Sequence, residues 1–254
     1  MICAMRSIGA SNSRSETAED GATRRLPLTT RKMQQTPAHD LHNPDLLALM
    51  PRQSTRIVEI GSSSGALARA FKAANPGCHY TGVEIDPAYG RSSQRYCDFV
   101  LNADIEDVDD AAFDRLFPSD CWVFGDALEH LKDPWRLLRK IRDRISIGGS
   151  VVACIPNAQH WSLQARLNCG MFEYEDSGLL DRTHLRWFTR ITIMELFRSS
   201  DFKIVEGRTR TPDEPAPDSV LRAIRVMAQA TGTDQELAVH DAIPFQWLVR
   251  ATPA

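Results

Sequence analysis

Three histidines stand beside charged or aromatic neighbours in this chain: His130 in Leu128-Glu129-His130-Leu131, His160 in Asn157-Ala158-Gln159-His160-Trp161, and His184 in Asp181-Arg182-Thr183-His184-Leu185-Arg186. With an ordinary pKa of ~6.5, imidazole is the side chain best placed to take a proton from a hydroxyl near neutral pH. His184 is the leading candidate, since Asp181 three residues earlier can orient its ring. Arg182 and Arg186 can hold an anionic substrate. Glu129-His130 reads as a pair that shapes the site, and His160 with Trp161 as a substrate contact. Each of these histidines also has an ordinary structural reading as a cap or a packed ring.

A second set of residues suits a nucleotide-like ligand. Arg56-Ile57-Val58-Glu59-Ile60 reads as a strand, Gly61-Ser62-Ser63-Ser64-Gly65 as a loop of small residues, and Ala66-Leu67-Ala68 as the start of a helix. Small side chains let a ligand approach the backbone, and the free N–H groups of a helix start suit an electron-rich group. The next strand runs out through Gly82-Val83-Glu84-Ile85-Asp86, which places a carboxylate ~20 residues beyond the loop, where a ribose diol finds its acceptor. The third ends at Leu101-Asn102-Ala103-Asp104-Ile105. There Asp104 can accept from an adenine amino group while Ile85 and Ile105 flank the ring.

Positioning such residues requires a parallel sheet. Short apolar runs at residues 56–60, 79–85, 98–101, 121–125, 150–155, 202–205 and 245–250 alternate with helical segments such as 66–74 and 134–146. Several runs lack polar alternation, as strands covered on both faces should. A short helix is expected just after Asn43. Residues 1–37 carry no apolar period and are expected to be a disordered tail, with one folded domain over 38–254. Within it, 157–190 and 211–241 are longer than a crossover needs and read as substrate-side insertions, the second carrying a helix at 219–230. Trp161, Phe172, Tyr174, Trp187 and Phe188 can form an aromatic lid over a sugar or ring, or pack as a plain apolar lobe.

The combination Val58-Glu59-Ile60-Gly61-Ser62-Ser63-Ser64-Gly65, Gly82-Val83-Glu84-Ile85-Asp86, Asp104-Ile105, Gly125-Asp126-Ala127-Leu128-Glu129-His130 and Gly148-Gly149 resembles the class I S-adenosylmethionine methyltransferases, and within them the ubiquinone-type O-methyltransferases. The resemblance implies a Rossmann-like α/β fold with a seven-stranded, mostly parallel sheet, an antiparallel last strand, helices on both faces and a small lid. It implies S-adenosylmethionine as cofactor. Glu59 and the Gly61–Gly65 backbone would hold the methionine part, Glu84 the ribose and Asp104 the adenine, while Asp126 and Leu128 line the methyl side. Ser63 stands where the family usually has glycine. The runs PNxxHW and GLLDxTHLRxFT are similar to a subgroup near glycan pathways, which points to a small-molecule or glycan-type acceptor.

Other activities are compatible with parts of the pattern. Gly61-Ser62-Ser63-Ser64-Gly65 also fits GxSxG, with Ser63 as a nucleophile and His184 or His240 as its base, but only one helix precedes the loop and no HGG-type segment appears. A nicotinamide oxidoreductase shares the strand–loop–helix, although Ser63 would crowd a pyrophosphate. A cofactor-binding module without catalysis is the third alternative. His39 and His42 have helical spacing but no third ligand nearby, so no metal is expected. A net charge of −3 gives no general attraction to nucleic acid or an anionic membrane, and no apolar run reaches the ~20 residues of a membrane span. The six cysteines form no CxxC pair, which fits reduced thiols in a cytoplasmic protein.

Overall fold

A computed structural model describes residues 40–211 and 215–254; the expected tail and His39 lie outside them. Seven strands form one sheet: β1 (Arg56–Ile60), β2 (His79–Glu84), β3 (Phe99–Asn102), β4 (Cys121–Gly125), β5 (Ser150–Pro156), β6 (Phe202–Arg210) and β7 (Gln246–Pro253). Their order is β3-β2-β1-β4-β5-β7-β6, with β7 antiparallel to both neighbours and the remaining contacts parallel. The direction of winding reverses between β1 and β4. In open α/β sheets that reversal opens a crevice at the carboxyl ends of the strands.

Helices cover both faces. On one side lie α1 (Pro44–Leu49), α2 (Ala66–Ala74) and α3 (Pro87–Ser93); Leu46, Leu67 and Phe71 pack on Ile57, Tyr80 and Val123. On the other lie α4 (Asp110–Asp114), α5 (Pro134–Arg142) and α7 (Arg190–Arg198), whose Phe113, Leu138, Ile141 and Phe197 pack on Trp122, Phe124 and Ala153. Cys121 to Phe124 are all buried, the mark of a central parallel strand.

The two long segments fold against each other. The first carries α6 (Trp161–Asn168); the second carries α8 (Asp218–Ala230) and α9 (Gln235–Ala242). Trp161 joins Ile224, Val239 and Ala242 in a small separate core. Buried Asn157, at the exit of β5, donates to the carbonyls of Asp241 (2.8 Å) and Pro244 (2.7 Å) and so ties the segments together. β6 extends well beyond the expected 202–205. Its outer half is polar, and Glu206 pairs with Arg250 of β7, so hydrogen bonding and charge extend the strand where hydrophobic pattern gives no signal. Among the described residues, no helix is long and apolar enough to cross a membrane.

Candidate active site

The β1–α2 loop closes on itself by small-residue geometry. The N–H groups of Gly61 and Ser62 both donate to the Val83 carbonyl, at 2.8 and 3.2 Å, which clamps the loop to β2. Gly61, Ser63 and Gly65 all have positive φ, at 77°, 47° and 80°. For Ser63 this is an uncommon conformation, and its N–H is what benefits: it donates to Glu84 Oε2 at 2.8 Å. The N–H of Asp86 donates to Glu84 Oε1 at 2.9 Å. The loop and the β2 carboxylate therefore meet, as the spacing predicts. Both Glu84 oxygens accept backbone bonds, and a carboxylate has further lone pairs with which to accept from a vicinal diol. Burial raises the Glu84 pKa, and backbone bonds from Asp86, Ser63 and Ile85 oppose it.

The donor set fits an adenosyl ligand. Backbone N–H groups, a half-satisfied carboxylate and an apolar face lie together: Ile85, beside Glu84, is 51% exposed although most aliphatic side chains of the sheet are buried. A Cβ added at Gly61 would meet nothing nearer than Ala127 Cβ at 3.8 Å, so the chain leaves room above the loop.

Burial and hydrogen-bond partners differ among the neighbouring motif residues. Ser62 turns inward: its hydroxyl lies 3.4 Å from that of Ser93, and a Cβ at Gly82 would come within 2.6 Å of it, so only the Ser62 backbone serves the crevice. Ile105 and Leu128 are buried in the larger core. Glu59 is 6% exposed and accepts the Tyr80 hydroxyl at 3.0 Å, on the buried side of β1; burial pushes its carboxyl up to about 8. Asp104 accepts the Glu106 N–H at 3.0 Å and faces Lys132 Nζ at 3.6 Å. Asp126, at φ 52°, accepts from the Gln246 amide of β7. Gln246 carries no signal in the sequence.

Across the crevice from the loop, the turn after β4 meets the segment before α7. The Glu129 carbonyl accepts from the N–H groups of Leu185 (2.8 Å) and Arg186 (2.9 Å), which docks that segment on the β4 exit. This brings His130 and His184 edge to face, ring centres 4.8 Å apart. Desolvation lowers both pKa values, that of His184 to about 4, so both rings are neutral at pH 7. Asp181 Oδ1 accepts from the Thr183 N–H (2.8 Å) and hydroxyl (2.6 Å), and the Thr183 hydroxyl stands 3.0 Å from His130 Nδ1. Asp181 thus acts on His130 through Thr183, while His184 takes a ring hydrogen bond to the Leu179 backbone. Glu129, read from sequence only as a shaping residue, is 1% exposed and lies beneath both rings; burial, with Asp126 and Asp181 nearby, drives its pKa well above the carboxylate range.

The expected substrate contacts are largely structural. His160 caps α6, with Nδ1 2.7 Å from the Ser162 hydroxyl, and its ring packs against Trp161 and Phe245. Burial lowers its pKa to about 4. Trp161 belongs to the α8–α9 core. Arg182 pairs with Asp176 at 2.7 Å, and Arg186 donates to the carbonyls of Leu185 and Lys132, so both guanidinium groups are occupied within the chain. Of the five lid aromatics, Phe188 is buried in the main core, whereas Phe172, Tyr174 and Trp187 remain partly exposed and contact one another.

Comparison with known proteins agrees with this geometry. A family model described as a methyltransferase domain matches residues 30–207, more than half of the chain. No curated protein sequence matches significantly. Among solved structures, the chain is similar to one from the complex of the Haloferax volcanii Trm112 methyltransferase activator with a methyltransferase (19% identity, 83% of this chain and 88% of that one, TM-score 0.54). It is also similar to an S-adenosylmethionine-dependent methyltransferase from Mesorhizobium loti (17%, 82% and 95%, 0.52). A third similar structure is the magnesium protoporphyrin IX methyltransferase from Synechocystis with bound S-adenosylhomocysteine (9%, 83% and 80%, 0.53). Identities this low speak to fold alone; the family match removes the hydrolase and oxidoreductase alternatives. The chain belongs to the methyltransferase-domain family and is a class I S-adenosylmethionine-dependent methyltransferase.

Proposed function

We propose that the protein methylates a hydroxyl oxygen of a small-molecule or sugar-type acceptor. The observation that carries this reading is the pair of neutral imidazoles, buried His184 and half-buried His130, at the β4 edge of the crevice. An amine acceptor needs no base once neutral, whereas a hydroxyl must shed its proton as the new C–O bond forms. S-adenosylmethionine supplies an electrophilic methyl on a good leaving group, so the chain has mainly to orient donor and acceptor and exclude water.

In this reading the Gly61–Gly65 backbone cradles the methionine part, Glu84 takes the ribose hydroxyls and Asp104 the adenine amino group, with Ile85 against the ring. Glu59 supports the methionine end from below the loop. Asp126, held by Gln246, borders the methyl side, and His184 or His130 takes the proton. Phe172, Tyr174 and Trp187 offer an apolar face to the acceptor, consistent with the likeness to ubiquinone-type and glycan-pathway enzymes. Asp181 positions His130 through Thr183.

Calorimetry with S-adenosylhomocysteine and NAD, together with labelled methyl transfer to a panel of hydroxylated and amine acceptors, tests the reading. Glu84→Gln is expected to weaken S-adenosylhomocysteine at least ~10-fold, the value of one or two hydrogen bonds to a charged acceptor. His184→Ala should lower turnover while leaving cofactor affinity in place. Methyl transfer confined to amines, or wild-type turnover in His184→Ala, would reject the hydroxyl assignment.

A further inference from the structure

Glu129 presents a problem that the methyl-transfer reading leaves unsolved. Its side chain is almost wholly buried, and beyond its own backbone N–H neither carboxylate oxygen has a hydrogen-bond partner. A buried carboxylate without partners is among the costliest arrangements in a folded protein. Adding a proton cancels the charge but leaves a buried O–H that needs an acceptor of its own. Asp126 and Asp181 add negative potential to the same place. What would satisfy Glu129 is a cation.

Two imidazoles stand ready to share one. Donor atoms of Glu129, His130 and His184 all lie within 4.8 Å of one another, the single such grouping of three among the described residues. His184 Nε2 is 3.9 Å from Glu129 Oε1, too far for a hydrogen bond and suited to a shared third atom. Around a tetrahedral ion with bonds of ~2.1 Å, ligand atoms sit ~3.4 Å apart, so a contraction of at most ~1.4 Å by side-chain rotation completes the set.

Hydrogen bonding fixes one of the rings for this purpose. The Thr183 hydroxyl has one proton, and the 2.6 Å bond to the Asp181 carboxylate uses it. At its 3.0 Å contact with His130 Nδ1 it must therefore accept, and the Thr183 carbonyl, 3.2 Å from the same nitrogen, can only accept. Nδ1 therefore carries the proton and Nε2 carries the lone pair. A metal-binding histidine is commonly oriented in this way, by a carboxylate or carbonyl behind it. The sequence gives no such signal: Glu129 and His130 are adjacent, but His184 is far along the chain and no ligand spacing connects them.

We propose that Glu129, His130 and His184 bind one divalent transition-metal ion of the zinc, cobalt or iron class. Two imidazoles and one carboxylate favour such an ion over magnesium or calcium, which prefer all-oxygen shells. Three protein ligands leave a position open. On the O-methylation reading, and only there, that position receives the acceptor hydroxyl and lowers its pKa so that its proton passes to solvent. With the ion bound, His130 and His184 are ligands, and the base role belongs to the ion-free site. Ion binding itself does not depend on that reading.

Chelator-treated full-length protein should take up one equivalent of Zn²⁺ by calorimetry and develop the visible absorption of tetrahedral Co²⁺. Glu129→Gln, nearly identical in shape, should weaken the ion by roughly 100-fold or more, and Thr183→Val, which removes the hydroxyl linking Asp181 to His130 and leaves the Thr183 carbonyl, by roughly 10-fold. His240→Ala, at an exposed histidine away from the cluster, should bind as the wild type does. S-adenosylhomocysteine titrations on the same samples report the cofactor site separately, so its affinity should survive Glu129→Gln. Wild-type protein that binds S-adenosylhomocysteine but takes up neither Zn²⁺ nor Co²⁺ would overturn the ion site while sparing the methyltransferase assignment. Unaltered ion affinity in Glu129→Gln and Thr183→Val would overturn it as well.

Discussion

Glu59 makes the stability of this protein depend on pH in a direction opposite to that of a salt-bridged carboxylate. Its side chain lies on the inner side of β1 among Tyr80 and neighbouring apolar residues, and burial raises its pKa from an ordinary 4.5 to about 8. The folded state therefore holds a proton that the unfolded chain releases. The corresponding stability is fully present below pH 4.5, declines as pH rises, and is gone above about 8, where the fold must either bury an anion or open. At ~1.4 kcal/mol per tenfold change in proton affinity, the whole window is worth at most ~5 kcal/mol, a large share of a typical domain's stability. Glu59→Gln keeps the shape and an oxygen to accept the Tyr80 hydroxyl but cannot ionise. Urea denaturation of both proteins without cofactor, at intervals from pH 5 to 9, isolates Glu59, because every other titrating group is common to the pair. The variant should match the wild type at pH 5 and become progressively more stable towards pH 9. A difference that stays flat across this range would show that Glu59 is not a buried neutral acid.

Two further substitutions probe how the crevice is held. Gly65→Ala places a Cβ 3.0 Å from the Ser93 backbone at a φ of 80°, and should cost about 1–3 kcal/mol in thermal denaturation while weakening S-adenosylhomocysteine in calorimetry; a fully stable variant would show that the α2 start is not pinned against α3. Asn157→Asp, almost unchanged in volume, turns a donor to two carbonyls into an acceptor facing both, so it should destabilise by ~2 kcal/mol or more in urea; a neutral result would mean that the Asn157 tie to Asp241 and Pro244 is not formed.

The cofactor side of the crevice was legible in the sequence because it is built locally. Gly61 to Gly65 follow β1, Glu84 ends β2 and Asp104 lies just beyond β3, so strand–loop–helix order alone brings them to one edge. The side-chain directions there were harder to read. Ser62, Ile105 and Leu128 belong to turns, where the alternation that tells inward from outward along a strand no longer applies. Ser62 shows the consequence: the residue that decides its direction is Gly82, on another strand, whose missing Cβ makes the space.

The acceptor side was illegible for the opposite reason, since its decisive contacts join residues with no common period. Thr183 reaches back to His130, Gln246 reaches Asp126, and Asn157 reaches Asp241 and Pro244. Charges that look available in the sequence are consumed by the same folding: Asp176 takes Arg182, main-chain carbonyls take Arg186, and Asp241 takes Arg190 through both oxygens. Anion capture by arginine, the natural reading of Asp181-Arg182-Thr183-His184-Leu185-Arg186, therefore gives way to a different division of labour. Arginines hold the segment together, three partly exposed aromatic rings face outward from it, and the imidazoles with Glu129 supply the polar chemistry at its base. On the proposed O-methylation reading, an acceptor at such a surface is recognised by an apolar or ring face and by one hydroxyl, with little contribution from negative charge.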